Sequence, residues 1–156
     1  TDTGVYQRPD GQDMLIGSAD PECDPHVIVD PDNYDSSFTE QWTLQAHRAA
    51  QRFPEMGISN TARGTVGIYD VSDDWIPIYD KCDLPGFYLA IGTSGNQFKN
   101  APLIGELMAE IMTKELEGRN HDEEPATLRL KHIDRGICLD FYSRNREVQS
   151  TYGVMA

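Results

Sequence analysis

The stretch of sequence that decides the fold is residues 86–112, which read GFYLAIGTSGNQFKNAPLIGELMAEIM. Residues 87–91 are a short apolar run after a Leu-Pro-Gly turn, a pattern typical of a strand covered on both faces, as in a parallel sheet. Gly92 and Gly95 then bracket a turn. Apolar residues at helical spacing follow, so the stretch predicts a strand, a glycine turn and a helix in succession.

The predicted helix has Pro102 in its first turn and Gly118 as its stop. Its expected apolar face consists of Ile104, Leu107, Met108, Ile111 and Met112. Free N–H groups and the positive end of the helix dipole make the start of such a helix a site for an anion or an electron-rich ring edge. Lys99 adds a positive charge there. On spacing alone, the simpler alternative is that the glycines only let the chain turn.

The same residues, read in order, resemble the C-terminal flavin-contacting segment of the glycine and D-amino-acid oxidase family, which includes sarcosine oxidases and dimethylglycine dehydrogenases. The family pattern is Pro-Gly-aromatic-x-x-Ala-x-Gly-x-Ser-Gly-His-Gly-Phe-Lys-x-Ala-Pro-x-x-Gly-Glu. The residues that fit it here are Pro85, Gly86, Phe87, Ala90, Gly92, Ser94, Gly95, Phe98, Lys99, Ala101, Pro102, Gly105 and Glu106. Asn96 replaces the usual histidine and Gln97 replaces the second glycine.

The resemblance continues outside this segment. Residues 4–17 are similar to the substrate-domain hairpin of the family, and residues 67–78 are similar to the segment that leads into the flavin strand. The resemblance implies an FAD-dependent oxidoreductase that oxidises a small amine or amino acid, such as sarcosine, glycine or dimethylglycine, by hydride transfer to flavin.

Site residues follow from the resemblance. It implies that the cofactor contacts the turn residues Gly92, Thr93, Ser94, Gly95, Asn96, Gln97, Phe98 and Lys99. The backbone of residues 94–98 is expected to supply donors to the flavin edge. Lys99 is also expected to pair with a substrate carboxylate, and Arg8 and Tyr6 to line the substrate side. Solvated roles for Lys99 and Arg8 are the alternative, and no catalytic acid or base is assigned.

Two further positions refine the implied activity. Gly67 stands where covalent sarcosine oxidases carry the cysteine that anchors the flavin, so FAD is expected to bind non-covalently. Leu15 stands where sarcosine oxidases carry an oxygen-activating lysine, which favours a dehydrogenase over an oxidase.

The expected fold class is mixed α+β, with an antiparallel substrate-domain sheet, helices and the C-terminal strand-turn-helix of an FAD-binding domain. Residues 1–80 are expected to be part of the substrate-binding domain, 81–118 the strand-turn-helix and 119–156 a C-terminal extension. No Gly-x-Gly-x-x-Gly occurs in the sequence, so a dinucleotide-binding unit is expected from a missing N-terminal portion.

Local patterns predict the other elements. Residues 5–6 and 14–16 flank a Pro-Asp-Gly turn and predict a hairpin. Ser37 and Glu40 form a capping-box pattern before a helix that stops at Pro54. Strands are expected over residues 64–71, 75–79, 126–130 and 137–142, and a tail over the last dozen residues.

Composition excludes several classes of function. The 156 residues carry a net charge of −13 and no basic stripe, which argues against nucleic-acid binding. No apolar run is long enough to span a membrane. Three cysteines without close spacing suggest neither a disulfide framework nor a zinc site, so a cytoplasmic protein is expected. The acidic run at residues 30–35 lacks the glycine and closing glutamate of a calcium loop, which favours a solvated loop.

A second hypothesis remains open at this point. The departures at Asn96 and Gln97 and the missing dinucleotide unit also suit a non-catalytic ligand-binding or subunit-interaction module that retains the fold.

Overall fold

The computed structural model describes residues 2–19, 23–61 and 63–149, and it confirms the mixed α+β class. Its α-helices and strands, in chain order, are β1 (Val5–Asp10), β2 (Asp13–Ser18), α1 (Glu40–Arg52), β3 (Ile78–Lys81), β4 (Tyr88–Ile91), α2 (Ala101–Leu116), β5 (Thr127–Leu130) and β6 (Arg135–Cys138). Short 3₁₀ helices cover Phe98–Asn100 and Leu139–Tyr142. The chain forms two compact units, Thr1–Ile68 and Tyr69–Val154, which are described separately.

The first unit contains the predicted hairpin and one helix. Strands β1 and β2 pair antiparallel, with Val5 opposite Ser18 and Asp10 opposite Asp13, which confirms the hairpin. Gly11 adopts a φ of 63° in the connecting turn, a conformation that glycine adopts without strain. Helix α1 packs on the hairpin and buries Ala46 and Ala49, which share one face because they are three residues apart.

The capping box predicted at the start of α1 is wrong. The helix begins at Glu40 with Thr39 as its N-cap, and no side chain caps it. The Ser37 hydroxyl instead donates to Asp35 Oδ1 at 2.7 Å, and the Ser37 N–H donates to the same oxygen at 2.8 Å. The serine therefore stabilises the preceding turn, an alternative that short polar side chains often take.

In the second unit, β3 and β4 form an antiparallel ladder in which Ile78 lies opposite Ile91 and Lys81 opposite Tyr88. The prediction of a parallel, fully covered strand at residues 87–91 is therefore wrong. The link between β3 and β4 is six residues long, and parallel neighbours need a much longer crossover. Within this chain, the last two residues of β4 are exposed.

Helix α2 confirms its prediction except at Met112, which was expected on the apolar face and is exposed. Pro102 lies in its first turn, and its apolar face packs into a core with β3, β5 and the second 3₁₀ helix. The buried members of this core are Tyr79, Leu107, Ile111, Ala126, Leu128 and Leu139. Gly118 has a φ of 77°; its N–H donates to the Glu115 carbonyl, and the Arg119 N–H donates to the Lys114 carbonyl. These two bonds define a Schellman motif, so the glycine ends the helix as predicted.

Three strand predictions need correction. Residues 64–71 do not form a strand in the part of the chain that is described, and β3 begins only at Ile78. The fourth strand prediction, residues 126–130, is confirmed by β5, which pairs with β6. Residues 139–142, predicted as strand, form a 3₁₀ helix.

The late start of β3 has a physical cause in Arg146. Its Nη2 and Nε donate to the two carboxylate oxygens of Asp74 at 2.6 and 2.9 Å, and the Asp74 side chain is 1 % exposed. The same guanidinium donates to the carbonyls of Ile76 and Pro77 at 2.6 and 3.5 Å. The Ile76 carbonyl also accepts the Ser72 hydroxyl at 2.7 Å, so both of its lone pairs are occupied and it is not available for strand pairing. Residues 145–149 therefore contribute to the fold, and the rest of the predicted tail lies outside the described residues.

A second buried carboxylate, Asp80 on β3, binds Ser143 and Arg144, which lie close to Arg146 in sequence. Its Oδ2 accepts hydrogen bonds from the Arg144 N–H and Nη1, at 2.8 and 3.0 Å, and from the Ser143 hydroxyl at 3.2 Å. Arg144 also binds Asp122 through two hydrogen bonds of 2.8 and 3.0 Å. Because Asp80 is fully buried, these donors replace the water that its carboxylate has lost.

His121 lies beside Asp80. Its Nδ1 accepts the Ala126 N–H at 3.0 Å, so the neutral ring carries its proton on Nε2, which is 3.8 Å from Asp80 Oδ1. Burial lowers the pKa of His121, although the carboxylates of Asp80, Asp122 and Glu115 oppose that shift. The ring is therefore held neutral inside the unit.

Candidate functional site

The candidate site is the turn between β4 and α2, residues 92–100. Gly92, Ser94 and Gly95 have φ angles of 65°, 50° and 74°. Ser94 is fully buried, and its hydroxyl donates to the Gly92 carbonyl at 3.2 Å. A non-glycine residue in this conformation is uncommon and is found mainly where surrounding contacts fix it. The predicted glycine turn is thus present and tightly shaped.

The main contact that shapes the turn comes from Asp70, a residue that the sequence did not single out. Its carboxylate accepts the Thr93 N–H at 3.0 Å and the Thr93 hydroxyl at 2.5 Å, and its carbonyl accepts the Ser94 N–H at 3.0 Å. Burial favours the protonated acid, but hydrogen bonds from Thr93, and then from the backbone of Asp70 and Gly92, outweigh it and lower the pKa of Asp70. The sequence signal was only that Asp70 lies in the segment that resembles the lead into the flavin strand.

Gly95 is required for a second reason besides its φ angle. A Cβ atom placed on Gly95 would lie 2.7 Å from two carbon atoms of the Tyr69 ring. Tyr69 and Asp70 therefore hold the turn from one side, the first by packing and the second by hydrogen bonds.

The two residues that depart from the family pattern bind within the turn. The Gln97 side-chain oxygen accepts the Tyr79 hydroxyl at 3.1 Å and the Asn100 amide at 3.0 Å, and the Gln97 amide donates to the Asn96 side chain. Burial raises the pKa of Tyr79 to about 12, so its phenol stays protonated and acts as a donor. Gln97 thus attaches the turn to the core.

Several donors at the start of α2 remain available. Within the described residues, the N–H groups of Gly95, Phe98 and Lys99 donate no hydrogen bond, whereas those of Ser94 and Asn96 bind Asp70 and Thr93. Phe98 is 98 % exposed, and the exposed Lys99 forms no ion pair in the part of the chain that is described. Free donors and a lone cation at a helix start suit the electron-rich edge of a heterocycle or a carboxylate, so the donor set fits a flavin.

Tyr6 and Arg8 lie on β1 in the first unit. Being two residues apart on a strand, they share a face. Arg8 Nη1 lies 3.9 Å from Asp10 Oδ1, and both side chains are exposed. The Tyr6 ring lies over Gly17, where a Cβ would approach it to 2.4 Å. The turn and Lys99 belong to the second unit, so the substrate-side assignment of Tyr6 and Arg8 stays a prediction.

Neither a cluster of metal-ligand side chains nor a membrane-spanning helix is found in the described part of the chain. Among residues 2–19, 23–61 and 63–149, no group of three or more His, Cys, Asp or Glu side chains is placed to hold a metal ion. None of the helices in these ranges is both long and apolar enough to cross a membrane.

The fold and the turn define a class: an α+β chain with a glycine turn that presents free N–H donors at a helix start. The comparison with known families identifies the family within that class. The family DAO, described as FAD dependent oxidoreductase, matches residues 1–111, and the chain belongs to this family. No curated protein and no solved structure matches the chain.

Proposed function

We propose that this chain is the substrate-side and C-terminal flavin-binding portion of an FAD-dependent oxidoreductase that oxidises a small amine or amino acid. The observation that carries the proposal is the turn itself, with free N–H groups at Gly95, Phe98 and Lys99. Family membership supports the cofactor and the reaction class. The amine or amino-acid substrate rests on the resemblance of the motif.

The turn residues have two proposed tasks. The free N–H groups and the positive end of α2 stabilise negative charge at the edge of the ring system, because fixed donors need not reorganise when that charge appears. Lys99 binds the carboxylate of the substrate, which is consistent with its exposure and the lack of an ion pair within the described residues. A bound flavin supplies the hydride acceptor.

The remaining assignments belong to the same proposal. Arg8 and Tyr6 line the substrate side, and a dinucleotide-binding portion outside this chain holds the FAD pyrophosphate. Gly67, in the place of the anchoring cysteine, suits non-covalent FAD, and Leu15 suits a dehydrogenase. The proposed location is the cytoplasm, where thiols such as the free Cys23, Cys82 and Cys138 stay reduced.

The decisive experiment is purification of the protein expressed from its natural reading frame, followed by visible absorption spectroscopy. We expect a flavin spectrum and release of the flavin into the supernatant after denaturation. A colourless protein would contradict the proposal, and flavin that stays attached after denaturation would contradict the non-covalent assignment.

Replacing Lys99 by Met in that enzyme tests the substrate contact. Loss of a charged hydrogen-bond donor is expected to raise KM for carboxylate-bearing amines by roughly 10-fold to 100-fold. For amines without a carboxylate we expect less than roughly a twofold change. Steady-state kinetics on both substrate classes measure the difference.

Lys131 is the matched control, because its side chain is exposed and pairs with Glu106. Lys131→Met should leave both Michaelis constants unchanged. An equal effect of Lys99→Met on both substrate classes would remove Lys99 from the anchoring role.

A second function, a non-catalytic binding or subunit-interaction module, is favoured by one observation. The side chains of Asn96 and Gln97 bind each other and the core. A protein that captures a partner subunit but shows no flavin spectrum and no response to added FAD would support the module and oppose the enzyme.

A further inference from the structure

The turn already binds an anion that belongs to the chain, the side-chain carboxylate of Asp70. Successive backbone N–H groups, one of them on a residue with positive φ, form a concavity that binds anions in many proteins. Gly92, which has a positive φ, and Thr93 supply such successive N–H groups here, and the carboxylate of Asp70 accepts the Thr93 N–H at 3.0 Å. Part of the turn that was predicted to bind an anion is thus bound by a carboxylate of the chain itself.

Asp70 binds neighbouring residues of the turn through both its carboxylate and its carbonyl. Thr93 donates through both its N–H and its hydroxyl, to different oxygens of Asp70. The Asp70 carbonyl accepts the next N–H along the turn, that of Ser94. Two consecutive residues of the turn, Thr93 and Ser94, are thus bound to one residue that lies 23 positions before Thr93.

We propose that Asp70 is a positioning residue whose carboxylate serves as the resident anion of the turn. It fixes the turn in which Gly92, Ser94 and Gly95 have positive φ, and among the described residues it leaves the N–H groups of Gly95, Gln97, Phe98 and Lys99 for a ligand. Free oxyanions such as phosphate are excluded from the inner concavity, because it already holds a negative charge. The claim that a ligand binds these N–H groups rests on the proposed function, whereas the role of the Asp70 carboxylate in the turn does not.

Removal of the carboxylate provides the test. We expect Asp70→Ala to accelerate amide hydrogen exchange in peptides covering residues 92–95 by roughly 10-fold to 100-fold, since hydrogen bonds to a charged acceptor are lost. The measurement is made by mass spectrometry on the protein expressed from its natural reading frame. Sodium acetate, a free carboxylate, should restore protection in this variant, and sodium chloride at equal ionic strength should not.

Two variants make the result specific. Asp73→Ala removes a nearby exposed carboxylate that makes no hydrogen bond within the described residues, and it should change neither exchange nor its response to acetate. Thr93→Val removes the hydroxyl donor, and it should accelerate exchange less than Asp70→Ala does, without rescue by acetate.

The outcomes separate this inference from the proposed function. Accelerated exchange in Asp70→Ala with acetate rescue supports the resident anion, even in a protein that holds no flavin and so fails the proposed function. Unchanged exchange in Asp70→Ala overturns the inference. Accelerated exchange that acetate does not restore also overturns it, because Asp70 would then support the turn without acting as its anion.

Discussion

The glycine turn, residues 92–100, and the C-terminal segment, residues 139–149, contribute to the second unit in opposite ways. The turn lies inside the family match and presents free donors, an exposed phenylalanine and an exposed lysine. The C-terminal segment lies outside the match, yet its two arginines bind two fully buried aspartates. In this chain the family motif contains free donors and exposed side chains, and residues outside the match supply much of the internal bonding.

The largest expected effect on the free energy of unfolding follows from removing the ion pair between Arg146 and Asp74. Arg146→Met leaves the Asp74 carboxylate buried without its main partner, and such a loss costs about 3–5 kcal/mol of unfolding free energy. Urea denaturation measures the change. The matched control is Arg129→Met, which removes a fully exposed pair with Asp134 and should cost less than about 0.5 kcal/mol.

Equal destabilisation by the two substitutions would contradict the assignment of Arg146. Where Arg146→Met is too unstable to purify, adding Asp74→Asn should recover a folded protein, because the buried charge is then removed together with its partner. Failure of this double variant to improve on Arg146→Met would contradict the buried-charge explanation.

A substitution in the glycine turn is expected to have an intermediate effect on the free energy of unfolding. Gly95→Ala forces a side chain into a positive-φ position and against the Tyr69 ring, with an expected loss of about 2 kcal/mol. Gly105→Ala is the control within α2, where a Cβ meets no atom within 4 Å. It should stabilise the chain by about 0.5–1 kcal/mol, because alanine favours helix. Destabilisation by both substitutions would oppose the steric explanation.

The smallest effect is a pH dependence that originates in His121. Because burial lowers its folded pKa below the ordinary 6.5, the unfolded chain binds a proton first, and stability falls as pH drops below about 6.5. One proton contributes at most about 1.4 kcal/mol for each pH unit. His121→Asn, whose side-chain oxygen lies near the position of Nδ1 and keeps an acceptor for the Ala126 N–H, should flatten this slope in urea denaturation between pH 7 and pH 5. A slope that persists would assign the effect to other groups.

Much of the turn region was predictable because its information is local. The strand, the turn, Pro102 and Gly118 follow one another within 33 residues, so spacing and residue type alone indicated the order of elements and the helix stop. The hairpin of β1 and β2 was predictable for the same reason. The direction of pairing of β4 was not, since an apolar run does not specify its neighbour.

The three carboxylates that bind the turn and the C-terminal segment escaped prediction because their partners are distant in sequence. Asp70 binds a residue 23 positions away, Asp80 one 64 positions away and Asp74 one 72 positions away. A chain with 26 acidic residues gives no sign of which ones are buried. The same limit explains why residues 145–149 were expected to be a tail and residues 75–79 a strand.

Asp74 and Asp80 leave the ribosome long before the arginines that bind them. Arg146 follows Asp74 by 72 positions, and Arg144 follows Asp80 by 64. Until those arginines emerge, both carboxylates stay hydrated, because burying an unpaired charge costs several kcal/mol. Closure of the second unit is therefore a late event in synthesis, and residues 92–100 are translated before the arginines that complete the unit.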